Sequence, residues 1–486
     1  MARYTSAMNA QGFSGTRRPP TLNIPFSDGD MQAVIAGARR VLDEIGIGCA
    51  SPEVRGVLAS LPGVRASGER VYLGDKIVDA ILADSKAATP AAQDDPVTPF
   101  KINAPWCCLQ IADVRAGQVR PATSQESARA VRLLEGAGAT VQVAPVACGD
   151  VPPELRNLAG LRTVLKHSRS GCTLTNPPLE AEIGAAVDMG AAAGREARAF
   201  IMAMLSPLRF DTLGIEYFIR HRQQAGLRLS LSGNMPCTGA TAPLHLPGTL
   251  IQSLAESLGM AACARALGEK GTVGHVRCDP CDMRSGNYVI GSPEYHLLDM
   301  AARALYRTLT GNTMRGGAFR SMAKFPDAQA MAERSFSVLF QALQGARAFG
   351  AAGQLAMDEL FSPEQVILDC EILRNVERIV QGMEWSAAAD GSAAVDEAVA
   401  LIRAGTQAGH YLEGEETLSK YREFFYSSNL FGYGKLEAWV QHGAKQILAQ
   451  AGERVAQIVD SMPEYAIAGD RVREVDLVFE KAARQA

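Results

Sequence analysis

The chain is short of several things, and each shortage narrows what it can be. It has no run of about 18 or more apolar residues free of charge, so no bilayer-spanning helix is expected. Its opening, MARYTSAMNAQGFSGTRRPP, has no apolar core of the signal-peptide kind, and the cytoplasm is the expected compartment. Net charge is only −4 over 486 residues, without the basic excess that would neutralise a phosphate backbone, so nucleic acid is not expected as a partner. Aromatic residues make up 6%, and any aromatic near a candidate site therefore stands out. Regular cysteine spacing is missing too. The ten cysteines are scattered and are expected to be reduced, mostly buried thiols. Cys278 and Cys281 form the only C-x-x-C. One pair does not fill a tetrahedral zinc site, although His275 would add a third ligand. Thiols packed beside a loop are the simpler account, and no metal is expected.

What is present reads as a globular chain: 47% hydrophobic and 21% charged residues, in a length that suits one large α/β barrel. Residues 27–45 carry apolar side chains at helical spacing (Met31, Val34, Ala38, Leu42, Ile45), with Ser27 placed as an N-cap. Residues 52–61 and 74–87 read as two short helices around a turn and a single strand at 71–73. Residues 88–99 read as an Ala-, Asp- and Pro-rich linker. From Phe100 onward the pattern changes. Short apolar runs recur at 109–111, 141–146, 171–174, 199–204, 227–231, 273–276, 312–315 and 350–355. Helical segments lie between them, as at 124–134, 179–193, 211–224, 293–309 and 327–343. This alternation implies a parallel sheet, and about eight repeats imply a TIM-type (β/α)8 barrel; the first run serves equally as a hairpin ahead of it. The expected organisation is a flexible arm at 1–24, a mainly helical extension at 25–99, the barrel at 100–394, and a helical region at 395–486 that caps the barrel or forms a dimer surface.

The most specific stretch is 234–256, NMPCTGATAPLHLPGTLIQSLAE, a Gly- and Pro-rich loop between a short apolar run and an amphipathic segment. Its order Pro–x–x–Gly–Ala–Thr–Ala–Pro, from Pro236 to Pro243 and ahead of Ala255–Glu256, resembles the trimethylamine methyltransferase family. So do VLDEIGIG at 41–48, VYLGDKIVDAIL at 71–82, DVRAGQVRPAT at 113–123, DMRSGNYVIGSPE at 282–294, KFPDAQA at 324–330 and GHYL at 409–412. Order and spacing hold from about residue 25 to the end.

The resemblance implies a reaction: a methyl group passes from an amine nitrogen to the cobalt of a corrinoid protein. It implies no permanently bound cofactor. The cob(I)alamin/methylcobalamin belongs to the partner corrinoid protein, the other partner is a small quaternary amine, and a homo-oligomer is expected. The chain has only standard residues, so it resembles the branch without pyrrolysine, which acts on quaternary amines such as glycine betaine. A trimethylammonium head has no N–H and is held by aromatic faces and a carboxylate. The matching motifs offer Asp282, Glu294 and His410 as catalytic candidates, and Trp106, Asp113, Tyr288, Phe319, Arg320 and Tyr433 as substrate contacts. Arg277, Arg284, Arg315 or Arg320 would clamp a substrate carboxylate. Thr238, Gly239, Thr241, Gly316 and Gly317 would face the corrinoid, where small residues let a bulky partner near the backbone. Glu294 and Asp327 follow prolines at helix starts and serve equally as helix-end acids. Two positions depart from the family pattern: Met322 stands where an acid is usual, and Glu416 precedes Thr417 where a His is usual. Two other readings stay open, a zinc-thiolate methyltransferase using His275, Cys278 and Cys281, and a non-catalytic quaternary-amine-binding barrel.

Overall fold

The computed structural model describes residues 16–18, 20–88, 98–233, 235–274, 276–385 and 392–485. Most of the expected arm and of the 88–99 linker, together with His275, lie outside the described residues. Within that arm, Thr16–Arg18 forms a strand antiparallel to Met383–Trp385.

The N-terminal region is built as its sequence dictates, with one addition. Ser27 caps the Asp28–Arg40 helix through a reciprocal box: its hydroxyl accepts from the Asp30 N–H at 3.2 Å, and the Asp30 carboxylate accepts from the Ser27 N–H at 2.9 Å. One π-helical turn, Val41–Ile45, follows and stops at Gly46, where φ is 69° and a Cβ would lie 2.6 Å from the Val71 carbonyl oxygen. The single strand expected at 71–73 is one arm of a hairpin, Val64–Ser67 against Arg70–Leu73. The first arm buries little, so no alternating apolar signal marks it in the sequence.

Parallel neighbours then follow chain order. Lys101–Ile102 lies beside Ala348–Gly350, which lies beside Gly316–Ala318. Asn103 bridges Thr140, Gln142 accepts from the Thr173 N–H at 3.1 Å, and Thr173 bridges Arg198. Ala197–Leu205 pairs with Leu227–Gly233, and Cys237–Thr238 pairs with Asp279–Asp282. The first expected run takes the hairpin place left open for it, and two others are shifted. The run at 109–111 belongs to an antiparallel hairpin, Gln110–Asp113 with Gln118–Arg120, outside this parallel row. The ladder uses Gly316–Ala318 in place of 312–315, and Asp279–Asp282 in place of 273–276. Lys101–Ile102 is too short to carry a period and went unread.

Along Ala197–Leu205, Ala197, Ala199, Ile201 and Ala203 are buried, whereas Arg198 and Phe200 on the other face reach solvent. The buried face packs against helices such as Leu246–Ala266 and Glu180–Ala193. Of the C-terminal region, Ile447–Ser461 packs on Ser124–Gly136 and Pro363–Val380, and Gly469–Ala483 packs on Arg156–His167 and Glu180–Ala193. Asp476 fixes the second helix by accepting from Arg162 at 2.6 Å and Lys166 at 2.8 Å. Among the described residues no helix is long and apolar enough to cross a membrane.

Candidate functional site

The Gly/Pro loop at the end of Leu227–Gly233 is a self-closed turn. The Cys237 carbonyl accepts from the N–H groups of Ala240, Thr241 and Ala242 at 2.8–3.0 Å, while the Thr241 hydroxyl accepts from the Cys237 N–H at 2.8 Å. Gly239 sits at φ 90°, a conformation that side chains disfavour. The helix that follows secures two loops at once. Gln252 donates to the Thr241 carbonyl at 2.6 Å and to Glu256 at 2.9 Å. Glu256, 3% exposed, accepts from the Ser206 hydroxyl at 2.6 Å and the Leu208 N–H at 2.9 Å. Burial pushes its carboxyl above the usual range, against the opposing hydrogen bond from Ser206. Glu256 thus joins the turn after one parallel strand to the loop after the next.

At the neighbouring strand end, Asp279 is 2% exposed and its Oδ1 has no hydrogen-bond partner among the described residues. Its Oδ2 lies 3.9 Å from Arg277 Nη2, which has no hydrogen-bond partner among the described residues. The Thr238 hydroxyl across the ladder is likewise buried and has no partner among the described residues. Arg277, Asp279, Asp299 and Arg320 all act electrostatically on the buried Tyr295 hydroxyl, which burial holds above its ordinary value. Arg320 Nε is also buried without a hydrogen bond among the described residues. A buried acid and two bases, Arg277 and Arg320, therefore gather around Tyr295 with open valences. Isolated buried polar atoms of this kind cost free energy unless a ligand or water satisfies them.

A third loop, 351–357, holds Ala351, Ala356 and Met357 at positive φ. It is fastened by a fully buried ion pair. Arg334 donates to Asp369 at 2.5–2.6 Å and to the carbonyls of Ala351 and Gln354, while Asp369 accepts from the Gly353 N–H at 2.7 Å.

The sequence candidates fall into three groups. Tyr288, Thr238, Gly239, Thr241 and Arg320 lie in or beside this constellation; the Tyr288 hydroxyl donates to the Met235 carbonyl at 2.9 Å. Other candidates are engaged elsewhere. Asp282 closes the 282–287 turn, accepting from the Ser285 hydroxyl at 2.7 Å and the Arg284 N–H at 3.1 Å, and these bonds lower its pKa. Asp113 belongs to an ion-pair group with Arg120 and Glu126, lining a cavity of about 650 Å³ between the 110–120 hairpin and the helices Ser124–Gly136, Pro363–Val380 and Ile447–Ser461. Phe319 is 1% exposed, and its ring lies 5.1 Å from the Arg334 guanidinium. Gly317 faces inward, where a Cβ would meet Gln341 Oε1 at 2.5 Å; Gly316 accepts from Arg303 at 2.7 Å. Glu294 is exposed in the first turn of Pro293–Thr310, whose cap is Ser292, and Asp327 caps Ala328–Leu343. Trp106, 43% exposed, sets its edge against Phe200 at 5.4 Å. His410 and Tyr433 are exposed on the C-terminal segment.

Sequence reasoning missed Asp279, Glu256, Gln252 and Tyr295, although Glu256 closes the quoted loop motif and Asp279 stands three residues before another. At Met322, the usual acid's place, Glu333 takes the local donors, accepting from the Met322 N–H at 2.8 Å and the Ser321 hydroxyl at 2.7 Å. The side chain of Glu416 is not described. Among the described residues no group of three or more His, Cys, Asp and Glu could hold a metal ion. Burial raises the Cys278 thiol well above its usual range; Cys237 is pushed up to about 12 by burial and by the neighbouring Cys281 thiol.

Known proteins give this geometry a relationship. The trimethylamine methyltransferase MttB2 of Methanosarcina mazei is 27% identical over 289 residues, 58% of this chain and 55% of that protein. The trimethylamine methyltransferase MttB of Desulfitobacterium hafniense is 28% identical over 259 residues, 53% and 50% of the two chains. The match thus spans about half the length of these relatives. A glycine betaine methyltransferase of Desulfitobacterium hafniense is 25% identical over 440 residues, 87% of this chain and 89% of that one. The family model for trimethylamine methyltransferase (MTTB) matches residues 2–484, which takes in the 237–243 turn, the Asp279–Arg277 pair and the 351–357 loop alike. On that match the chain belongs to the trimethylamine methyltransferase family.

Proposed function

We propose that this chain transfers a methyl group from a zwitterionic quaternary amine of the glycine betaine class to the cobalt(I) of a separate corrinoid protein. We further propose that its parallel strands number eight and close into a TIM-type barrel, with the reaction at their C-terminal ends. Chain-order parallel pairing on both sides of Lys101–Ile102 supports the barrel. The near full-length match to a glycine betaine methyltransferase supports the substrate class.

One observation carries the reading: the open Oδ1 of buried Asp279 beside the open Nη2 of Arg277. A trimethylammonium head cannot donate a hydrogen bond, so the acid that attracts it keeps a free oxygen. A substrate carboxylate needs donors, and Arg277 has one to give. Transfer breaks the carbon–nitrogen bond, whose electron pair stays on nitrogen as a neutral tertiary amine. The methyl carbon bonds to the cobalt nucleophile supplied by the partner. No proton is needed to expel the amine, which leaves this chain to hold the cation in line and to exclude water.

The test is anaerobic incubation of the full chain with cob(I)alamin and single amines, following methylcobalamin by absorbance. Methylation with glycine betaine and not with methylamine supports the reading. Binding of glycine betaine with no transfer, to free cob(I)alamin or to a corrinoid protein, overturns the catalytic part.

A further inference from the structure

A second cavity, of about 330 Å³, is lined by helix and turn residues alone and shares none of them with the Asp279 constellation. It lies between the helices Ser124–Gly136 and Arg156–His167 and the turn that follows Ile447–Ser461. Its size is that of a small-molecule site. Five basic side chains line it: Arg129 and Arg132 from the first helix, and Arg162, Lys166 and His167 from the second. Each helix thus presents a like-charge pair about one turn apart, which costs helix stability where nothing offsets it. On the second helix Asp476 offsets the pair, accepting from Arg162 at 2.6 Å and from Lys166 at 2.8 Å. On the first helix neither arginine has an acid within 4.0 Å among the described residues. The donors are also incompletely used. Arg132 Nη2 donates to the carbonyls of Val459 and Met462 at 2.8 and 3.1 Å, but its Nε is buried with no hydrogen-bond partner among the described residues. Arg162 uses Nε on Asp476, and neither of its Nη atoms has a partner among the described residues. Exposed Arg129 has none there either. His167 Nδ1 lies 2.6 Å from the Glu464 carbonyl and so carries the proton, which leaves Nε2 for another partner; its ring lies against that of Tyr465 at 5.2 Å.

We infer that this cavity binds a small soluble phosphate monoester, with the phosphate among Arg129, Arg132 and Arg162 and the body of the ligand against the Tyr465 and His167 rings. Open guanidinium donors arriving from two helices suit an oxyanion with several acceptor oxygens. A monoester phosphate presents three, with a charge of about −1.5 to −2 at neutral pH. A lone carboxylate offers two oxygens and one charge, enough for a single guanidinium. Inorganic phosphate would leave most of the volume empty, so an organic body is part of the ligand. Two acids, Asp460 and Glu464, also line the cavity, and both are exposed. They oppose an extended polyanion, such as nucleic acid or an anionic membrane, laid across this surface. The inner bases are half-buried (Arg132, Arg162) or buried (Lys166), and they favour a compact anion seated inside. The same bases hold the turn that leads into the last helix: beside the Arg132 and His167 bonds, the Lys166 carbonyl accepts from the Ala466 N–H at 2.7 Å. A ligand here therefore ties the C-terminal helices to the body and stabilises the folded chain by mass action.

The experiment is titration calorimetry and thermal unfolding of the full chain with phenyl phosphate, glycerol 3-phosphate and inorganic phosphate, at about 0.15 M ionic strength and without corrinoid. At least one ester should bind with a Kd below about 1 mM and raise the Tm, and inorganic phosphate should bind at least tenfold more weakly. Arg129→Gln removes a side chain with no partner to lose, so it should keep the ligand-free Tm and weaken ester binding at least tenfold. Arg132→Gln should weaken it too, whether or not it also loosens the 459–462 turn. Saturating glycine betaine should leave the ester affinity unchanged, so the outcome is separate from that of the methyl-transfer reading. Absence of binding by both esters overturns the inference. So do equal affinities for inorganic phosphate and the esters, ester affinity unchanged in Arg129→Gln and Arg132→Gln, or competition by glycine betaine, which would give the ester to the Arg277 site.

Discussion

Replacing Asp279 by Asn tests the site at its centre, because it removes charge while keeping shape and the 2% exposure. A trimethylammonium nitrogen in van der Waals contact with the carboxylate sits about 5 Å from it. At an effective dielectric constant of about 20 the attraction is about 3 kcal/mol, roughly two orders of magnitude in affinity. Each aromatic face that contacts the cation adds about 0.5–2 kcal/mol and is untouched by the change. Arg277, deprived of the acid 3.9 Å away, then repels the ammonium and deepens the loss. The assay is titration calorimetry with glycine betaine and with its carbon isostere 3,3-dimethylbutanoate, which has the same shape and carboxylate but no positive head. Asp279→Asn should bind glycine betaine about 100-fold more weakly. It should bind the isostere no worse, and more tightly to the extent that Asp279 repels its carboxylate. A variant that holds glycine betaine within threefold of wild type, or loses both ligands equally, refutes the assignment of Asp279 as the counter-charge.

Three further outcomes follow from other parts of the molecule. Glu256→Ala unpins both loops, and the unpaired Ser206 hydroxyl and Leu208 N–H should cost about 1–3 kcal/mol each; a kcat/KM that falls at least tenfold, with Glu256→Gln losing less, is the expected kinetic result. Glu126 has its pKa lowered to about 2, chiefly by the hydrogen bond from Arg120, so its contribution to stability is present above its ordinary value of 4.5 and is lost as pH falls through about 2. The urea-midpoint difference between wild type and Glu126→Gln should therefore be constant above about pH 5.5 and shrink steadily below it. Asp369→Ala leaves the Arg334 guanidinium buried and unpaired at a cost of about 3–5 kcal/mol, and a joint Arg334→Met, Asp369→Leu change should cost less than the sum of the two singles by denaturant melts.

What the sequence made legible was whatever is decided within a few residues. Ser27 and Asp327 were readable at helix starts because capping is settled by neighbours three positions away, whereas the cap Ser292 was passed over for Glu294 two residues on. The local role of Asp282 was equally available, since its partners are Arg284 and Ser285. The parallel order was legible from strand–helix alternation, although the two-residue Lys101–Ile102 strand has no period to read. Choices decided across the fold were not legible. Glu256 meets Ser206 fifty residues away, and Gly317 is small because Gln341 stands behind it. Phe319 looks like a cation-binding ring and does face a cation, but that cation is Arg334 of the same chain. Asp279 earned no notice because its distinction is an empty valence, a property of what three dimensions fail to place beside it.

That empty valence also bears on which amine fits. Asp279 and Arg277 are 3.9 Å apart, and together they carry no net charge. To a lone monocation such as tetramethylammonium, the attraction of the acid is opposed by the base at nearly the same distance, and desolvating the ligand gains little in return. A zwitterion reverses the balance. In the binding mode proposed above its ammonium would lie against Oδ1 while its carboxylate would accept from Nη2, so both open atoms would be satisfied and neither charge of the pair would work against the ligand. The spacing inside such a ligand must match the spacing of the two side chains, which favours a carboxylate one or two carbons from the nitrogen over one on a long chain. A neutral pair with open atoms on both members is therefore a reader of dipoles, and the selectivity it predicts is for betaines of short spacing over simple methylated amines.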